Sequence, residues 1–344
     1  MDGQSTMRFL AMLLSSRRPA SLLLFCTLTI APYGFLQQPD QNSPNIRVSV
    51  DRVNVGVVVT NSRGQFVEGL HREDFHIFDN SVEQPVTDFL SIDEPGQVLL
   101  LIEAGPAVYF LEGSHLRAVH ALLEGLSPGD RIALVRYDQT AEAVLDFTPD
   151  KRAAAGSLDQ LRFNVGFGQL NLASSVDKVL DWLAKIPGKK SLVLLSTGVD
   201  TSPSGAVQTL LPRLKSSDVR VLAISLSVGL RTPQPAQPPQ NKSQKKTPSA
   251  PDKAQATAEV LAQADQELKA IAEASGGRSY FPTSTKDFSD VFAEIAQLIR
   301  HEYSLGFIPP AHDGKIHFID VRISTAADSA SSRVDHRQAY VAPQ

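Results

Sequence analysis

Five consecutive apolar residues, Val98-Leu99-Leu100-Leu101-Ile102, constrain this chain more than any other stretch. Such a run has no polar face to offer water, so it reads as a strand covered on both faces, as in the middle of a parallel sheet. Open α/β sheets carry their ligand chemistry at the carboxyl ends of such strands. This one ends in Glu103-Ala104-Gly105-Pro106-Ala107, one carboxylate followed by four residues with no side-chain donor or acceptor. A second run, Leu192-Val193-Leu194-Leu195-Ser196, leads into Thr197-Gly198-Val199-Asp200. The frame looks like that of a metal-binding α/β domain, while most of the oxygen a metal needs is missing from it.

The surrounding pattern is β-α from residue 96 to residue 301. Leu116, Val119, Leu122, Leu123 and Leu126 share one helical face, and Ser127-Pro128-Gly129-Asp130 ends it. Ile132-Ala133-Leu134-Val135 and Ala143-Val144-Leu145 read as a hairpin pair. A helix is predicted over 172–186, stopped by Pro187-Gly188, then the strand over 192–196, a helix over 206–215 and a strand over 219–226. Residues 231–257 are rich in Pro, Gln, Lys and Ser without apolar periodicity, and read as a disordered insertion carrying the formal glycosylation sequon Asn241-Lys242-Ser243. A helix over 259–274, a strand over 278–281 and an amphipathic helix through Phe288, Phe292, Ile295 and Ile299 complete this part.

Both flanks are β. Val53, Val55, Val57 and Val59 alternate along one strand, Phe75 and Ile77 along another, and Val86 and Phe89 mark a short third. The tail gives strands near 302–308, 315–324 and 337–341. The 46–95 segment is short for a closed sandwich, and the 302–344 tail lacks a partner. The expected fold is therefore α/β: a doubly wound, mostly parallel sheet over 96–301, inserted in a small β-sandwich that the segments 46–95 and 302–344 form together.

The N-terminus differs. Arg8, Arg17 and Arg18 precede a short apolar run from Ala20 to Ala31. At about a dozen residues it is shorter than the about 20 of a spanning helix and suits a secretory signal, so 1–36 is read as signal peptide and lead, with Met7 and Met12 as alternative starts. Export to the periplasm or outside is expected; the alternative is an uncleaved membrane anchor. The single cysteine, Cys26, lies in this run behind the bulky Phe25, which disfavours lipidation and leaves the mature chain without a thiol. A net charge of −4 argues for no nucleic-acid partner, and no membrane insertion of the mature chain is expected.

The order of segments resembles the bacterial VWFA-related proteins, whose central module is a von Willebrand factor type A domain. The resemblance rests on Val59-Thr60-Asn61-Ser62-Arg63-Gly64, Glu73-Asp74-Phe75-His76-Ile77-Phe78-Asp79, Pro128-Gly129-Asp130-Arg131-Ile132, Leu194-Leu195-Ser196-Thr197-Gly198-Val199-Asp200 and Glu302-Tyr303-Ser304-Leu305-Gly306-Phe307, and runs from Ile46 to the C-terminus. It implies helices on both faces of the sheet and a ligand face at the strand carboxyl ends. Metal-binding type A domains hold a divalent cation there with Asp-x-Ser-x-Ser, a Thr and a second Asp. On that alignment this chain has Glu103, Gly105, Ala107, Leu170 and Thr197 in their place, with Asp200 just beyond. Mg²⁺ wants six hard oxygens; Gly105, Ala107 and Leu170 supply none. The six positions are the candidate binding residues of a degenerate adhesion site, and no metal or other cofactor is expected.

Other chemistry is weaker. The eight histidines show no ligand spacing and read as solvated or hydrogen-bonded side chains. Gly166-Phe167-Gly168-Gln169 lacks the Lys-Ser/Thr of a phosphate loop, and Ser174-Ser175 lacks a base in any recognisable order. Trp182 sits beside the core face of its helix and reads as packing. The expected function is a non-catalytic exported module that binds an unknown protein partner without metal. The alternatives are a metal-dependent adhesion module with unusual ligands and, last, an enzyme.

Overall fold

The structure is a computed structural model, and it describes residues 52–109, 111, 113–164, 168–231, 250–324 and 332–343. The N-terminal leader, the sequon and most of the proline-rich insertion lie outside the described residues.

Val53, Val55, Val57 and Val59 all point into one core from strand β1 (Val53–Thr60), as period-two alternation requires. Short strands follow: β2 (Phe75–Asp79), β3 (Val82–Gln84) and β4 (Asp88–Leu90). Asn80 and Ser81 both take positive φ, 46° and 69°, between β2 and β3. That is the backbone of a two-residue hairpin turn matched to strand twist.

The α/β part runs β5 (Gly96–Glu103), α1 (Pro106–Tyr109), α2 (Ser114–Gly125), β6 (Arg131–Tyr137), β7 (Ala141–Thr148), α3 (Lys151–Asp159), α4 (Leu172–Leu183), β8 (Lys189–Ser196), α5 (Ala206–Ser216), β9 (Val219–Ser225), α6 (Val228–Arg231), α7 (Ala250–Ala274), β10 (Arg278–Tyr280) and α8 (Asp287–Arg300). Its sheet has six strands in the order β10-β9-β8-β5-β6-β7. All neighbours are parallel except the β6–β7 pair. The chain winds outward both ways from β5 and β8, which makes it doubly wound. Val98, Leu100 and Ile102 pack with α2, α3 and α8; Leu99 and Leu101 pack with α4, α5 and α7. The central strand is thus buried on both faces because helices cover both.

The tail returns as β11 (Tyr303–Phe307), β12 (Ile316–Ile323), β13 (Arg333–His336) and β14 (Ala339–Val341). Two four-stranded antiparallel sheets result, β13-β1-β11-β4 and β14-β12-β2-β3. Each takes two strands from either side of the α/β part, and they share a core of β1 valines, Phe75, Ile77, Tyr303, Leu305, Phe307, Ile319, Val321 and Tyr340. Val58 turns the other way, into the α/β core, so the two parts share buried surface.

Four details depart from the sequence reading. Helix α7 begins at Ala250, inside the stretch expected to be featureless, because Ala254, Ala256 and Ala258 favour helix without needing burial. Helix α3, unread in the sequence, is short and buries only Ala154 and Leu158; Asp150 caps it by accepting from the N–H groups of Arg152 and Ala153. Val86 lies between strands, the last expected strand is the shorter β14, and β13 before it has no counterpart in the sequence reading. Trp182 packs on the core, edge-on to Phe147 at 5.4 Å.

Candidate functional site

β5 and β8 are direct neighbours, and Glu103 stands in register with Tyr137 across the β5–β6 pair. The strand ends therefore bring together residues distant in the sequence. Glu103 is fully buried. Its carboxylate accepts from the Thr197 N–H at 2.7 Å and from the Thr197 hydroxyl at 2.8 Å to one oxygen and 3.0 Å to the other. The Ser196 hydroxyl lies at 3.1 Å and the Tyr137 hydroxyl at 3.3 Å. Tyr137 OH is 2.6 Å from Ser196 Oγ, and Gly198 N–H donates to Ser196 Oγ at 2.9 Å. A consistent proton arrangement follows: Tyr137 donates to Ser196, and Ser196 and Thr197 donate to Glu103.

All these donors are neutral. Burial pushes its carboxyl above the ordinary range, against the lowering pull of Thr197, Ser196 and Tyr137. Burial and the nearby Glu103 push the Tyr137 phenol well up. Tyr137 and Ser196 were not singled out from sequence. Only the pairing of β5 with β6 and β8 brings them to Glu103.

Gly105 and Leu170 form the next layer. A Cβ built on Gly105 would stand 2.7 Å from Leu170 Cδ2, so the leucine occupies the space that a serine side chain at 105 would need. The loop holds Leu170 there: its N–H donates to the Thr201 hydroxyl at 2.8 Å, and Thr201 N–H donates to the Leu170 carbonyl at 2.8 Å. Leu170 itself is buried. Asp200 is engaged elsewhere. It accepts from Ala173 N–H at 2.9 Å in the first turn of α4 and from Ser202 N–H at 2.8 Å, a favourable place for a carboxylate. Ala107 lies in α1.

Of the six candidate positions, the structure brings Glu103, Gly105, Leu170 and Thr197 into one buried floor and gives Asp200 a helix-capping task. The residues do not fit a divalent cation. Glu103 Oε2 takes the Thr197 N–H and the hydroxyl contacts, Oε1 shares only the single Thr197 hydroxyl proton with it, and Leu170 methyls rather than an oxygen lie over Gly105. Among the described residues, no group of three or more His, Cys, Asp or Glu side chains is placed to hold a metal.

One histidine corrects the sequence reading. His115, in the first turn of α2, is fully buried and neither ring nitrogen has a hydrogen-bond partner. The edge of Phe163 meets it at 5.8 Å. Burial, then the nearby Arg117 charge, lowers its pKa to about 4.

The mostly parallel sheet with helices on both faces matches what the resemblance implied. The α/β part has a von Willebrand factor type A fold. Similar solved structures include a von Willebrand factor type A protein from Catenulispora acidiphila, at 10% identity over 87% of this chain and 76% of that one, with a TM-score of 0.43. An aerotolerance-related membrane protein from Bacteroides fragilis matches at 14% identity over 59% and 98%, TM-score 0.43. The SpRpn10 VWA domain matches at 11% identity over 58% and 94%, TM-score 0.38. No protein-family model and no curated protein matches the chain.

Proposed function

We propose that this chain is a non-catalytic, metal-independent protein-binding module, exported by its N-terminal leader. The closed state of the strand-end floor carries this reading: the Glu103 carboxylate accepts from Thr197 and Ser196, Tyr137 donates to Ser196 behind them, and Leu170 lies over Gly105. A type A domain that recruits partners through a cation needs open oxygens at this end. Here a partner meets the rim above the floor, which includes the partly buried Asn171 and Ser202 and the exposed Gln139 and Gln169. Ser196 and Glu103 are both fully buried, so the serine–carboxylate pair presents no hydroxyl that a substrate could reach, which favours a non-catalytic reading. No described helix is long and apolar enough to cross a membrane.

Cross-linking the exported chain in its source cells and identifying co-purified proteins, with and without chelator, tests the reading. The expected result is the same partner in both arms. Loss of the partner with chelator would replace this reading with metal-dependent adhesion.

A further inference from the structure

Where the amino ends of β8 and β9 meet the sandwich, the interior is charged. Lys189, Lys190, Arg220, Glu302 and Arg337 are all buried there. Lys190 pairs with Asp218 at 2.6 Å. Lys189 Nζ donates to the carbonyls of Ser91 at 3.1 Å and of Ile92 and Glu302 at 3.2 Å. Arg337, between β13 and β14, reaches out of the sandwich. Its Nη1 donates to the Ser217 carbonyl at 2.7 Å and the Lys215 carbonyl at 3.3 Å, and its Nη2 to the Asn54 carbonyl at 2.6 Å. Lys215 and Ser217 lie at the carboxyl end of α5, where free carbonyls and the helix dipole favour a cation.

This network is incomplete at two points. Arg337 Nε is buried and has no partner. Arg220 makes only long contacts: Nε to the Gly276 carbonyl at 3.3 Å, Nη2 to the Asp335 carbonyl at 3.5 Å and Nη1 to a Glu302 oxygen at 3.5 Å. Arg220, Glu302, Arg337, Asp218, Asn54 and Ser217 line one polar cavity of about 10 Å³. One water needs a volume of about 10–15 Å³ and two to four polar partners.

We propose that this cavity binds a single water molecule, which accepts from Arg337 Nε and donates to the Glu302 carboxylate, closing the ion network between the sandwich and the α/β part. Charge selects the ligand. An anion would face Glu302 and Asp218, and a cation would face Arg220 and Arg337. Water is neutral and can accept from a guanidinium and donate to a carboxylate at once. Contacts of 3.3–3.5 Å around Arg220 are long for N–H···O bonds and leave its guanidinium able to donate to a further acceptor in the cavity. The joint between the two parts is then a hydrated ionic seam in which Arg337 Nε also has an acceptor.

A high-resolution crystal structure of the intact chain tests this. One solvent peak about 2.7–3.2 Å from Arg337 Nε and within the same range of Glu302 is expected. Absence of a peak, or a direct bond from Nε to a protein oxygen, would overturn it. An anomalous peak at the same point after a bromide soak would also overturn it, making the site an anion site. Arg337→Lys keeps the cation but removes Nε, and is expected to lose the peak; a peak that persists would show that Arg337 does not hold the water.

Discussion

At the carboxyl ends of β5 and β8 a single carboxylate is buried among hydroxyls and one N–H, all neutral and all from the α/β part. At the amino end of β8, by contrast, Lys189 is buried against carbonyls of Ser91, Ile92 and Glu302, which lie outside it. The first arrangement is self-sufficient and sealed. The second needs a neighbouring structure to be satisfied. The carboxyl ends of β5 and β8 are thus closed core, and the amino end of β8 is a joint to the sandwich. The comparison teaches that a buried charge marks an interface when its partners come from another element layer, and a core when they do not.

The largest effect should come from breaking the sealed end. Glu103→Ala leaves the Thr197 N–H, the Thr197 and Ser196 hydroxyls and a small void without an acceptor. Orphaned buried donors cost about 1–3 kcal/mol each and are not additive, so a loss of at least about 3 kcal/mol is expected in urea unfolding. A loss below about 1 kcal/mol would mean the floor is not closed. Glu103 also sets a pH dependence. Its folded pKa is raised above 4.5, so its contribution is fully present below that value and declines as pH rises through the raised one. Glu103→Gln should remove that decline.

His115 should act in the opposite direction. Its folded pKa, about 4, is below the ordinary 6.5, so its contribution is present above 6.5 and is lost as pH falls towards 4. The shift corresponds to roughly 3 kcal/mol at the acid end. His115→Phe should therefore flatten the acid side of the stability profile relative to the unmodified chain. Parallel acid slopes in the two proteins would remove His115 from the account.

Two glycines sharpen the contrast between the ends. A Cβ on Gly56 would stand 1.8 Å from a Glu302 oxygen held by the seam, so Gly56→Ala must displace a buried ion and should cost about 1–3 kcal/mol. At Gly105 the obstacle is Leu170 Cδ2 at 2.7 Å, the free end of a rotatable side chain. Gly105→Ala should cost less than about 1.5 kcal/mol, and combining it with Leu170→Ala should show coupling in a double-mutant cycle. Equal costs at the two glycines would mean that the ends are equally adaptable.

Much of this was readable before the structure. The run Val98 to Ile102 gave the central strand, because only a doubly covered strand tolerates five apolar residues in a row. The alternation at Val53, Val55, Val57 and Val59 gave a half-covered one. The partnership of the two β segments followed from their shared lack of strands. The task of Glu103 was not readable, since it depends on register: Tyr137 reaches Glu103 only through the β5–β6 pairing, and Ser196 only through β8. The seam does have a signal in the sequence. Lys189-Lys190 opens β8 and Arg220 interrupts Val219 and Val221, and a charge inside a doubly covered strand has to find a partner beyond its own sheet. His115 lay on an expected core face without any local pattern to tell a buried ring from a hydrogen-bonded one.

The smallest expected effect is also the most direct test of the central claim, that the strand-end floor is closed without a metal. Melting temperature is measured in chelator and across a titration of Mg²⁺ and of Mn²⁺ into the millimolar range. A site that binds only the folded chain adds RT ln(1 + [L]/Kd), which is about 2.7 kcal/mol at a hundredfold excess over Kd. The account predicts no saturable shift with either ion. A saturable rise that disappears in Glu103→Gln would contradict it and return the floor to metal-dependent adhesion.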